Sequence, residues 1–315
     1  MDTILVTGAL DQIGSELVPT LRTRYEDVEV VASDIEPDPD VSGPYEAVDV
    51  TDRAQLEAII EEYDVDTVFH LAALLSAAGE QNPDRAFNVN VGGLHNVLEV
   101  GREYKLDRIV VPSSIAVYGQ ATPDNPSERT IRSPTTMYGI TKVLAENLGA
   151  YYHKKYNLDV RGIRLLGIVS HKTRPNGGTT DYAVDAFYEA VWEGEYTYFI
   201  REDTRLPMVY MSDAIDALIT LAEAEESDLQ YQCEYNISAL SFTAKELSKR
   251  IEERVDEFQA RYEPDERQSI ADSWPSTLDD TAARSDWGWS AEYDLDKMVD
   301  EMVHSLCQRA ERALS

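Results

Sequence analysis

Tyr138-Gly-Ile-Thr-Lys142 places a phenol and an amine four residues apart, so on a helix both side chains share one face. The pair suits proton abstraction from an alcohol. A phenol ionises near pH 10, too high for a base near neutrality. An ammonium within ~4–6 Å favours the phenolate, which can take the alcohol proton while a hydride leaves for nicotinamide C4. The spacing alone is not selective, because Tyr151 and Lys155 repeat it further along the same helical segment. Position separates the two pairs. Val110-Val-Pro-Ser-Ser-Ile-Ala-Val-Tyr-Gly119 ends a strand-like run with two hydroxyls, and Ser114 lies 24 residues before Tyr138. Ser114 can hydrogen-bond the reacting oxygen and orient the phenol. Tyr151 reads as an ordinary helix tyrosine.

A second constellation sits near the N-terminus. Ile4-Leu-Val-Thr-Gly-Ala-Leu-Asp-Gln-Ile-Gly-Ser-Glu-Leu-Val18 runs from a buried strand through a glycine turn into a helix. Gly8 and Gly14 hold the first and last glycines of a T-G-x-x-G-x-x-G loop. Such a loop turns tightly and aims helix N-terminal N–H groups at a pyrophosphate. Gly8, Asp11, Gln12, Ile13 and Gly14 are the candidate contacts. Asp11 stands where the middle glycine belongs. A carboxylate about 4 Å from a phosphate charge costs roughly 1 kcal/mol in water and ~4 at an effective dielectric of 20. Concentrated salt would screen it, since the Debye length is ~3 Å at 1 M. Asp34 ends the second strand-like run, 26 residues after Gly8. An acid there accepts hydrogen bonds from the adenosine ribose and repels a 2′-phosphate, which favours NAD over NADP. Asp49, just after Ala47-Val48, is a candidate cap for the adenine pocket.

The elements needed to position these groups are legible. Ile4–Val6, Val28–Ala32, Thr67–Leu71, Arg108–Val111 and Val160–Ile168 read as strands rich in β-branched residues. Helical patterns lie near 13–25, 53–63, 84–105 and 134–157. The alternation predicts an α/β Rossmann-type doubly wound parallel sheet over residues 1–170. Residues 171–315 change character and predict a smaller, mostly helical substrate lobe, with elements that can interleave with the first part. Its helical patterns lie near 180–193, 212–225, 243–260 and 294–313, with short strands at 196–200 and 233–237.

Composition narrows the function classes. With 315 residues, 43% of them hydrophobic, the chain can bury a sizeable core. Two distant cysteines and five scattered histidines offer no ligand spacing, so no metal site is expected. The 59 acidic residues outnumber 28 basic ones, eight of them lysines, for a formal net charge of -31. That field repels nucleic acid and anionic membranes. The acids are spread along the chain rather than gathered in a tail, which reads as a halophile-like surface. No segment is long and apolar enough to span a bilayer, and a strand begins almost at once where a leader would need a basic region. A cytoplasmic protein is expected.

The glycine loop, Ser113-Ser-x-Ala-Val-Tyr-Gly119 and Tyr138-x-x-x-Lys142, in that order, resemble the extended short-chain dehydrogenases, the group that includes UDP-galactose 4-epimerase. Other segments are similar to the short-chain L-threonine 3-dehydrogenases: Pro134 to Lys142, Gly177-Gly-Thr-Thr-Asp-Tyr-Ala183, Leu206-Pro-Met-Val-Tyr-Met211, Ser273-Trp-Pro, Leu278-Asp-Asp and Ala283-Arg-Ser-Asp-Trp-Gly-Trp289. The resemblance covers nearly the whole chain. It implies oxidation of L-threonine to 2-amino-3-oxobutanoate with NAD, in a homodimer built on long helices of the nucleotide domain. It makes Tyr138 the base, Lys142 its tuner and the holder of the nicotinamide ribose, and Ser114 the partner of the threonine hydroxyl. It further implies that Ser76, Thr130 and Thr179 line the amino acid pocket and that Leu71, Ala72, Ala73 and Asn88 contact the cofactor. At Arg164-Leu-Leu-Gly167 such enzymes more often show Arg-aromatic-Pro-Gly, so Leu165 and Leu166 bring different side chains to the nicotinamide-side contact. Two other readings stay open. A sugar-nucleotide epimerase or dehydratase would want a large, partly basic pocket, which the acidic C-terminal part opposes. A non-catalytic dinucleotide sensor draws support from Asp11 and is opposed by the intact Ser114, Tyr138 and Lys142.

Overall fold

The computed structural model describes residues 1–37, 41–174 and 178–314. The buried run β1 (Thr3–Thr7) passes through the glycine turn into α1 (Gly14–Arg24). There follow β2 (Glu29–Asp34), β3 (Tyr45–Ala47), α2 (Arg53–Tyr63) and β4 (Thr67–His70). Two short helices, α3 (Ser76–Gln81) and α4 (Pro83–Phe87), lead through a π-helical turn at Asn88–Gly93 into α5 (Leu94–Tyr104). Then come β5 (Arg108–Val110), β6 (Ser113–Ser114), a 3₁₀ turn at Ile115–Val117 and the 20-residue α6 (Met137–Tyr156). Three short strands follow: β7 (Val160–Arg161), β8 (Ile163–Leu165) and β9 (Gly167–Val169).

The central sheet has the order β3-β2-β1-β4-β5-β7. Each of its pairings is parallel. The order reverses between β1 and β4, which opens a crevice at the strands' carboxyl ends. Along β1, Ile4 and Val6 face a core shared with Leu17, Leu21 and Leu218, while Leu5 faces another shared with Leu56, Ile60 and Val97. This alternation is what covers both faces of a parallel sheet with helices. The Rossmann-type reading holds.

The C-terminal part holds α7 (Tyr182–Trp192), β10 (Glu195–Tyr198), β11 (Arg205–Tyr210) and α8 (Met211–Glu223). It continues with β12 (Tyr235–Asn236), β13 (Leu240–Thr243), α9 (Ala244–Glu252) and β14 (Gln259–Tyr262). It ends with α10 (Arg267–Ala271), α11 (Thr281–Trp287) and α12 (Leu295–Leu314). Tyr182, Phe187, Leu206, Met208, Phe242, Leu247, Met298 and Met302 form its core. Residues of α8, β12 and α11 pack instead into the core of α1 and the central sheet.

Three expected elements differ. The run Val160–Ile168 is not one strand. It breaks at Gly162, where a Cβ would stand 2.4 Å from the Val111 carbonyl oxygen, and again at Leu166. Its pieces pair separately: β7 with β5, β8 with β6 and β12, β9 with β11. The helix expected over 84–105 contains the π turn. The one expected over 243–260 stops at Glu252, and β14 follows. No helix among the described residues is long and apolar enough to cross a membrane.

Candidate active site

The crevice is built first by two glycines. Gly8 follows β1 with φ +72, and a Cβ there would lie 2.6 Å from the Ala72 nitrogen. A Cβ on Gly14 would lie 2.2 Å from the Gly8 carbonyl oxygen. The turn therefore touches the end of β4, where Leu71 N–H donates to the Thr7 carbonyl at 3.0 Å. Leu71, Ala72 and Ala73 are half-buried along that contact. Helix α1 begins after Ile13 with no side-chain cap, and the buried Gln12 amide nitrogen has no hydrogen-bond partner. An uncapped helix start and an orphaned donor beside a cradle closed to any Cβ fit a pyrophosphate.

Asp34 closes the other side. Its carboxylate accepts from Leu10 N–H at 3.0 Å and from Ile35 N–H at 2.8 Å, which fixes it against the loop. An acid so placed fits an adenosine ribose. Asp11 is tolerated because its φ lies outside the left-handed region, so glycine is not required there for backbone reasons. Its carboxyl is pushed above the usual range by burial and by neighbouring Asp34. Val48 N–H donates to the Asp34 carbonyl at 2.8 Å and brings Asp49 alongside. The Asp49 carboxylate is occupied by its own turn, accepting from Thr51 N–H at 2.9 Å and Thr51 Oγ1 at 2.7 Å.

The phenol, amine and hydroxyl converge. Thr136 caps α6 by accepting from Gly139 N–H at 3.1 Å, which sets Tyr138 in the first turn and Lys142 one turn on. Ser114 ends β6, and its Oγ accepts from Ala116 N–H at 3.2 Å. Burial raises the Tyr138 phenol to about 12, and its hydrogen bonding with Ser114 opposes the rise. Lys142 Nζ donates to the Pro112 carbonyl at 2.8 Å and stands 5.5 Å from the centre of the Tyr138 ring. Burial lowers Lys142 to about 8, against the attraction of Glu146. The sequence reading expects the ammonium to favour the phenolate; instead it is committed to a carbonyl and the phenol stays above its ordinary value. Here desolvation wins. His70, at the end of β4, lies beside the group. Its Nδ1 is 2.8 Å from Thr7 Oγ1, and burial, with Lys142 adding to it, lowers its pKa to about 3.

The remaining expected residues are dispersed around this centre. Ser76 opens α3, which packs on the first turn of α6, where Glu80 Oε1 accepts from Met137 N–H at 2.7 Å. Thr130 lies half-buried on the loop before α6, its N–H donating to the Ser127 carbonyl at 3.0 Å. Thr179 is buried just before α7. Gly177 lies outside the described residues. Leu166 is buried in the core between β8 and β9. Asn88 is exposed, its Oδ1 3.2 Å from where a Cβ on Gly92 would stand. Asn90, two residues on, is buried. Its Oδ1 accepts from Leu74 N–H at 2.7 Å, and its Nδ2 donates to the Leu74 carbonyl at 3.0 Å and to Thr141 Oγ1 at 3.1 Å. Thr141 Oγ1 in turn donates to the Tyr138 carbonyl at 2.8 Å. An asparagine on the inward face of an apolar helical pattern is the signal that points to it. Glu146 and Arg164, both buried, are further residues absent from the expected set.

Residues 4–238 match the NAD dependent epimerase/dehydratase family. An uncharacterized epimerase/dehydratase of Staphylococcus saprophyticus is 46% identical over 312 residues, which is 97% of each chain. Among solved structures, the holo form of a GalE-like L-threonine dehydrogenase from Cupriavidus necator is 46% identical. It superposes with a TM-score of 0.94 over 96% of this chain and 99% of the other. A monomeric L-threonine 3-dehydrogenase from a metagenome, in its apo form, is 45% identical with a TM-score of 0.94, over 97% and 99% of the two chains. The cofactor is NAD, in keeping with the geometry of the glycine cradle and Asp34.

Proposed function

Because the chain belongs to the NAD dependent epimerase/dehydratase family, we propose that it oxidises L-threonine at its side-chain hydroxyl to 2-amino-3-oxobutanoate. The observation that carries the reading is the convergence of Ser114, Tyr138 and Lys142 at the crevice edge. It occurs in a chain 46% identical to a GalE-like L-threonine dehydrogenase. NAD, when bound, accepts the hydride from the substrate's carbinol carbon. Tyr138 takes the hydroxyl proton, its phenolate favoured by the positive nicotinamide ring once NAD is bound. Ser114 donates to the reacting oxygen and holds it against the phenol. Lys142 supplies positive charge beneath the ring and a donor for the nicotinamide ribose. Gly8, Gln12, Ile13 and Gly14 receive the pyrophosphate, and Leu71, Ala72, Ala73 and Leu166 bound the nicotinamide side. Ser76, Thr130 and Thr179 line the amino acid pocket, and residues 171–315 serve as the substrate lobe.

The test is NADH formation with L-threonine in molar KCl, run beside UDP-sugars and beside Tyr138→Phe. Threonine-dependent NADH that falls by about 10²-fold or more in the variant supports the proposal. Turnover of a UDP-sugar instead would identify an epimerase-type enzyme, and NADH binding without turnover of any substrate would identify a sensor.

The same reading extends to a halophilic, cytoplasmic homodimer. Tyr104 on α5 and Tyr151 and Tyr156 on α6 are 37%, 48% and 39% exposed, an aromatic face on the two helices expected to pair. Light scattering that returns the mass of one chain would reject the dimer.

A further inference from the structure

Beneath Tyr138 and Lys142 lies a buried ion network. Glu146, one turn beyond Lys142 on α6, is 2% exposed, and Arg164 on β8 is fully buried. Glu146 Oε1 accepts from Ser113 Oγ at 2.5 Å and from Arg164 Nε at 2.8 Å. Its Oε2 accepts from Arg164 Nη2 at 2.9 Å and from Arg132 Nη1 at 2.5 Å. Arg164 Nη1 donates to the Tyr118 hydroxyl at 2.8 Å, to Asn236 Oδ1 at 3.1 Å and to the Glu128 carbonyl at 3.3 Å.

Buried ion pairs seldom add net stability over an apolar packing of the same volume. This one joins three elements of the crevice. Ser113 is the neighbour of Ser114 on β6, and β6 pairs with β8 through Ser113↔Arg164 and Ser114↔Leu165. The carboxylate therefore clamps the edge carrying Ser114 to the helix carrying Tyr138. It also stands one helical turn from Lys142, whose burial disfavours its charged form.

We propose that Glu146 is a positioning residue: its carboxylate, held by Ser113, Arg132 and Arg164, fixes the β6 edge against α6 and keeps Lys142 protonated beneath Tyr138. The inference rests on the proposed roles of Ser114, Tyr138 and Lys142. The groups facing Lys142 are Tyr138 and Glu146 from its own helix and His70 from β4. Those facing Glu146 are Arg132 from the preceding loop and Arg164 from β8, which Tyr118 faces in turn. Only Glu146 among them carries negative charge toward Lys142, so its removal takes away the attraction that opposes the desolvation of the ammonium.

With eight lysines in the chain, Lys142 can be titrated directly by NMR of protein labelled at lysine ¹³Cε. Its signal is assigned by its loss in Lys142→Arg. Glu146→Gln, nearly the same shape without the charge, is expected to lower the Lys142 midpoint by about half a pH unit or more. Arg132→Ala, at a partly exposed position, is expected to raise it. An unmoved midpoint in Glu146→Gln overturns the proposal. If that variant does not fold, an unmoved or lowered midpoint in Arg132→Ala overturns it. The titration needs neither substrate nor cofactor. A parent enzyme inactive on L-threonine but with a shifted midpoint in Glu146→Gln would reject the proposed reaction and keep the role of Glu146.

Discussion

His70 makes the fold sensitive to mild acid in a window set by the structure. Its ring is 4% exposed at the carboxyl end of β4, with Nδ1 2.8 Å from Thr7 Oγ1. Burial and Lys142 hold its pKa at about 3, against an ordinary value of 6.5. The unfolded chain takes up this proton as pH falls through 6.5, while the folded chain stays neutral until about 3. The unfolded state then binds more protons, so stability falls with falling pH throughout that interval. Each pH unit costs about 1.4 kcal/mol, which makes about 2 kcal/mol at pH 5. That is a large share of the roughly 5–15 kcal/mol by which folded domains are stable. Urea denaturation at pH 7, 6 and 5 should show the parent losing about 2 kcal/mol more than His70→Gln over the interval. Most carboxylates remain ionised at pH 5, so their mutual repulsion is common to both proteins and cancels in the difference. Equal losses in the two proteins would refute the reasoning.

Three further outcomes follow from the same geometry. Gly8→Ala forces an L side chain into a positive φ, at about 1–2 kcal/mol, and drives its Cβ onto the Ala72 backbone. NADH affinity read by fluorescence should fall about tenfold or more, and an unchanged affinity would reject the cradle as the pyrophosphate site. Asp11→Gly should tighten NAD most at low ionic strength, with the gap closing in molar KCl as screening takes over; equal affinities of the two forms at low salt would count against repulsion by Asp11. With a formal net charge of -31, the melting temperature should climb steeply with KCl, and a flat response would dispose of the halophilic reading.

The parts of the site that depend on local chemistry were readable from the sequence. The Gly8 turn, Asp34 at a strand end and the Tyr138–Lys142 spacing each need a residue type at a fixed offset. The parts that depend on tertiary pairing were not. Val160–Ile168 looks like one apolar strand because nothing local reveals that a Cβ at position 162 would stand 2.4 Å from the Val111 carbonyl oxygen. Strand β11 escaped notice because Pro207 sits within it, and proline argues against a central strand. It is nevertheless flanked by β13 and β9. The π turn could not be read from an apolar pattern of helical period, and within it Asn88 is exposed while Asn90 is buried. Glu146 carries no local signal of its role, because its partners, Arg132 and Arg164, come from other elements.

The broken stretch from Val160 to Val169 gives ten consecutive residues three separate allegiances. Cutting the chain after residue 170 would leave β8 paired with β6 alone and β9 without β11, and would remove α8, whose side chains share the core of α1 and the central sheet. Trimming the tail is therefore expected to strip one face of the central sheet of part of its cover. The same few residues join β11, through β9 and β8, to the strand edge that carries Ser114.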